Sequence, residues 1–192
     1  MTRILTLAVA GILSTAAVWC FAAPSSASRK YTGTADLPVT FHYAKGWRLR
    51  EEQGTVETYR GVRLLGARNP DDTYTAYVVV RAFPLAASDG GHYSSAHLFV
   101  NHTLTHLPSG AVVESQGARE VVGLAAHDIL MSYTIPPLHY AGLHAIEIQV
   151  RTRTVVLERP PYLYEMAYSA DAREYPRYAG AFERLLASLQ FH

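Results

Sequence analysis

Nine histidines in 192 residues are the first side chains here that could do chemistry, and His92, His97, His102 and His106 fall close together. His102 and His106 stand four apart, which puts both imidazoles on one face of a helix, the spacing a pair of metal ligands needs. A third ligand is not evident. The text His102-Thr103-Leu104-Thr105-His106 lacks the glutamate of a zinc-protease helix, and His97 points about 140° away from His102. The spacing therefore predicts a solvated helix face on which His102 and His106 are weak metal candidates that hold no metal tightly, because water and buffer compete easily with two ligands. His139 and His144, with His92 after Asp89-Gly90-Gly91, read as exposed loop histidines.

Other chemistries find less support. The only cysteine is Cys20, and the chain has no Gly-x-Ser-x-Gly elbow and no Gly-rich phosphate loop. Glu51-Glu52 and Asp71-Asp72 sit where turns are expected, so solvated charge accounts for them without a glycosidase pair. The expectation is a protein that is not an enzyme and takes no cofactor. A metal-binding protein using the surface histidines is the alternative.

The N-terminus runs Met1, Thr2, Arg3 and then roughly 20 largely apolar residues from Ile4 to Ala23, the layout of a secretory signal. Small residues at Ser25 and Ala27 favour cleavage after Ala27, with Ala22 as the second choice. Retention as an anchor and lipidation of Cys20 are the competing fates, and bulky Trp19 disfavours the lipoprotein. Residues 1–27 are thus read as a signal peptide and 28–192 as one domain, periplasmic or extracellular. That domain keeps all sixteen acidic residues and all the Lys and Arg except Arg3, so it is formally neutral. Neutrality gives no electrostatic case for nucleic acid, and membrane contact is expected only if the signal is retained. Losing Cys20 also rules out disulfides in the mature chain, so packing must stabilise it.

Short β-type runs separated by turns dominate the domain. Val39, Phe41 and Tyr43 alternate before a Gly46 turn and Arg48-Leu49-Arg50, which predicts an opening hairpin. Tyr74 to Phe83 is apolar on both parities, as in a strand of a sheet covered on both faces. From Ser94 to Leu107 the period becomes helical, with Ala96, Val100, Leu104 and Leu107 on one stripe. Strands follow at 112–114, 126–135, 145–152, 154–157 and 162–169. A second helix from Pro176 to Leu189 carries the stripe Tyr178, Phe182, Leu185, Leu186 and Leu189. Tyr162, Tyr164 and Tyr168 share a strand face and are expected under that helix.

Phe41-x-Tyr43-x-x-Gly46-Trp47, Gly123-Leu124-Ala125-Ala126, Tyr162 to Ala170, and Tyr178-x-x-x-Phe182-x-x-Leu185-Leu186-x-Ser188-Leu189-x-Phe191 follow one another along the chain. Together, in this order, they resemble the PsbP/Mog-like superfamily. The group includes PsbP of photosystem II, DcrB-type and LpqN-type exported bacterial proteins, and Ran-binding Mog proteins. The resemblance implies an α/β/α sandwich, an antiparallel sheet with helices packed on both faces, and action by docking to a protein partner without catalysis. A photosystem II extrinsic role is the further alternative, although no twin-arginine lumen signal is present. The docking site is placed on the connection Pro136 to His144, where Leu138, Tyr140 and Leu143 are more apolar than a solvated loop requires and Pro136-Pro137 limits its freedom; the alternative is that these residues fold back to cover the sheet.

Overall fold

The computed structural model describes residues 27–54, 58–86, 91–137 and 146–192. Its strands are β1 (Ser28–Tyr31), β2 (Val39–Ala44), β3 (Arg48–Gly54), β4 (Tyr59–Arg68), β5 (Thr75–Pro84), β6 (Val112–Val121), β7 (Leu124–Ile135), β8 (Ile148–Arg159), β9 (Tyr162–Asp171) and β10 (Gln190–Phe191). Among the described residues there are also two helices, α1 (Ala96–Thr105) and α2 (Tyr175–Ala187). Seven strands form one sheet in the order β3-β4-β5-β9-β8-β7-β6, and β1, β2 and β10 form a second, smaller one. All named strand pairs are antiparallel. Among the described residues, no helix is long and apolar enough to cross a membrane.

The central strands are buried on both parities, as their composition predicts. In β5, Val78, Val79, Val80, Ala82 and Phe83 are all at most 3% exposed. Neighbouring residues then divide between two cores. Val155, Leu157, Tyr164, Met166 and Tyr168 join Tyr178, Phe182, Leu185 and Leu186 of α2 in the larger. Val156, Leu163, Ile129, Met131 and Phe83 join Ala96, Phe99 and Val100 of α1 in the smaller. The α2 stripe is the one its periodicity predicts, and Tyr164 and Tyr168 lie beneath it. The Tyr168 hydroxyl donates to the Tyr175 carbonyl at 2.8 Å, so a polar tip is satisfied inside an apolar core. Burial pushes the Tyr164 phenol up to about 12.

Four expectations need correction. β2 and β3 do not form a hairpin: β2 lies between β1 and β10, while β3 pairs with β4. The segments expected as two strands at 145–152 and 154–157 are one strand, β8, and Ile146 lies outside it and exposed. Arg153, in the middle of β8, is tolerated because its guanidinium donates to Asp128 and Glu183, which ties β7 and α2 to that strand. The strand expected at 112–114 runs on to Val121 as β6. Along α1, Leu104 and Leu107 are only partly buried, and Phe99 fills the core instead.

The β6–β7 hairpin carries a local conflict between sequence and backbone. Val121 pairs with Leu124, leaving a two-residue turn in which Val122 has φ 44° and Gly123 φ 81°. Such turns favour Asn-Gly, because a β-branched side chain at positive φ crowds its own backbone. Val122 is 44% exposed, so its side chain contributes little packing. Val122→Asn is expected to stabilise the protein by about 1 kcal/mol and raise Tm. A lower Tm would mean that this valine makes a contact worth more than the strain.

Candidate functional site

A depression with a volume of about 270 Å³ and a mixed lining lies where α1 crosses the sheet. Phe83, Tyr93, Phe99 and Met131 form its apolar part, Arg81 and Glu165 its charged floor, and His102 and His106 its rim. Four strands, β4, β5, β7 and β9, and the segment from Tyr93 to Pro108 that includes α1 position it. Ser95 caps α1 by accepting from Leu98 N at 3.2 Å, the Ala96 N–H is held by Glu158, and Phe99 and Val100 anchor the helix below. Rings of Phe83, Tyr93 and Phe99 meet at centroid distances of 4.9–6.1 Å.

The floor is an ion network on the sheet. Arg81 of β5 donates to Glu165 of β9 at 3.0 Å and to Glu52 of β3 at 3.2 Å, and Arg63 of β4 lies 2.5 Å from Glu52. The Arg81 guanidinium also sits over the Tyr59 ring at 4.9 Å. Burial alone would depress the Arg81 pKa, but Glu165, Tyr59 and Glu52 outweigh it, and the group is held above its ordinary value. Glu52 is therefore a partly buried strand residue with two arginine partners, where the sequence suggested a solvated turn. Asp71-Asp72 does lie in a turn, and Asp71 takes a hydrogen bond from Thr73 and an ion pair from Arg173.

At the rim the structure brings His102 and His106 together with ring centroids 4.2 Å apart. His102 Nδ1 is 3.1 Å from the Tyr93 hydroxyl, and His106 Nδ1 is 2.9 Å from the His102 carbonyl oxygen. His97 turns away, as its angle predicts, and meets Asn101 at 3.1 Å. Among the described residues, no group of three or more His, Cys, Asp or Glu could hold a metal ion. Spacing alone pointed to the histidine pair, whereas Tyr93, Arg81 and Glu165 come from distant segments and carried no local sign of convergence. The suggested docking residues Leu138, Tyr140 and Leu143, together with His139 and His144, lie outside the described residues.

The fold that carries this site is PsbP-like. Its likeness is to the solution structure of cyanobacterial PsbP (CyanoP) from Synechocystis sp. PCC 6803, with a TM-score of 0.52 at 14% identity, covering 90% of this chain and 97% of that one. A crystal structure of PA94, a protein of unknown function from Pseudomonas aeruginosa, is similar to the same degree, with a TM-score of 0.52 at 14% identity over 86% of this chain and 97% of that one. No family model matches the chain, and no curated protein matches it by sequence.

Proposed function

We propose that the chain is an exported, non-catalytic accessory domain that acts by binding a protein partner. The observation that carries this reading is the PsbP-like fold, matched along 97% of the cyanobacterial PsbP chain. Equal likeness to PA94 gives a photosystem no preference over other settings. The α/β/α sandwich belongs to the same reading. Successive side chains of a strand point to opposite faces, and Val155 and Val156, like Leu163 and Tyr164, go to different cores. This supports α1 and α2 covering opposite faces of the sheet.

Export rests on the N-terminal pattern, Arg3 followed by the largely apolar run from Ile4 to Ala23. β1 begins at Ser28, directly after the favoured cleavage position. The mature protein is expected to begin at Ser28, or at Ala23 if the alternative site is used, which N-terminal sequencing of the exported form decides. An intact Met1 or an acylated Cys20 in the membrane fraction would overturn soluble export. The partner is expected to dock on the connection 136–144 through Leu138, Tyr140 and Leu143.

A further inference from the structure

We propose that His102 and His106 form a two-imidazole site for Cu(II) at the rim of the α1 cleft. The proposal depends on neither export nor a protein partner. It starts from spacing: two imidazoles bonded cis to one metal at about 2.0–2.1 Å have centroids roughly 4–5 Å apart, and here they are 4.2 Å apart. Tautomers follow from the hydrogen bonds. His106 Nδ1 faces the His102 carbonyl oxygen, which can only accept, so the proton of the neutral ring sits on Nδ1 and the lone pair on Nε2. The Tyr93 hydroxyl oxygen can accept from His102 Nδ1 in the same way, leaving Nε2 of His102 as a second lone pair. Among the described residues neither Nε2 has a hydrogen-bond partner.

The choice of ion follows from the donor set. Both rings are exposed, so water can complete the coordination. Two nitrogens with water in the remaining equatorial positions suit tetragonal Cu(II), which binds imidazole more strongly than the other divalent first-row ions do. Zn(II) sites are instead built from three or four protein ligands, and among the described residues no third donor is grouped with this pair. The pair is thus a micromolar copper site and a poor zinc site.

Tag-free protein titrated with Cu(II), followed by calorimetry and electron paramagnetic resonance, tests the assignment. One ion is expected to bind with micromolar affinity and to show splitting from two nitrogens. His102→Ala and His106→Ala should each weaken binding at least about tenfold while circular dichroism shows an unchanged fold. Tyr93→Phe, which removes the oxygen that positions His102, should weaken it about tenfold. No micromolar copper binding, binding that survives both histidine substitutions, or tighter binding of Zn(II) than of Cu(II) would overturn the proposal.

Discussion

Phe182→Ala is expected to destabilise the protein by about 3–5 kcal/mol, lowering Tm by roughly 10 °C. Phe182 is 1% exposed and sits where α2 meets the sheet, with the Tyr168 ring at a centroid distance of 5.8 Å. Truncation removes a buried ring and leaves a cavity bounded by Tyr168 on a sheet strand and by α2 itself, neither of which can collapse freely. Leu98→Ala, on the exposed side of α1 at 49% exposure, supplies the control and should stay within about 0.5 kcal/mol. Thermal melts of both variants decide the matter. An unmoved Tm for Phe182→Ala would make α2 a detachable element available to a partner.

The second large effect depends on pH. Asp171, only 3% exposed at its side chain, accepts from Arg173 through backbone and guanidinium and from Asn69 Nδ2 at 3.0 Å. The Arg173 hydrogen bonds, against a smaller opposing effect of burial, lower its pKa from 3.8 to about 2. A depressed carboxylate pKa means that the stabilisation is fully present above about pH 4 and is lost as pH falls through about 2. The shift corresponds to up to about 2 kcal/mol, part of which solvent screens because Arg173 is itself exposed. Asp171→Asn should therefore cost up to about 2 kcal/mol at pH 7, and the gap from the parent protein should close as pH approaches 2. Equal destabilisation at both ends of that range would assign the effect to shape and not to charge.

Legibility in the sequence followed the range of the interactions. The α2 stripe and the doubly buried β5 are local patterns and could be read directly. The opening hairpin could not, because Gly46 is a local turn signal whereas β2 finds its partners in Ser28–Tyr31 and Gln190–Phe191, the latter almost at the other end of the chain. Arg153 looked like a break between two strands, since nothing near it in sequence announces Asp128 and Glu183 as its partners. Glu52 reads as a solvated turn residue for the same reason, because its partners Arg63 and Arg81 lie on two further strands. At the site, the spacing of four that joins His102 to His106 was visible, but their neighbours Tyr93, Arg81 and Glu165 converge only through the fold.

Native size analysis of the extracytoplasmic fraction, paired with thermal melts, tests most directly the proposal that the protein acts through a partner docked on the connection 136–144. The parent protein is expected to travel in an assembly well above the size of one domain, and Leu138→Ser/Tyr140→Ser to travel alone with an unchanged Tm. A parent protein that travels alone would contradict it. So would a double variant that stays in the assembly, or one whose Tm falls sharply because these residues are core.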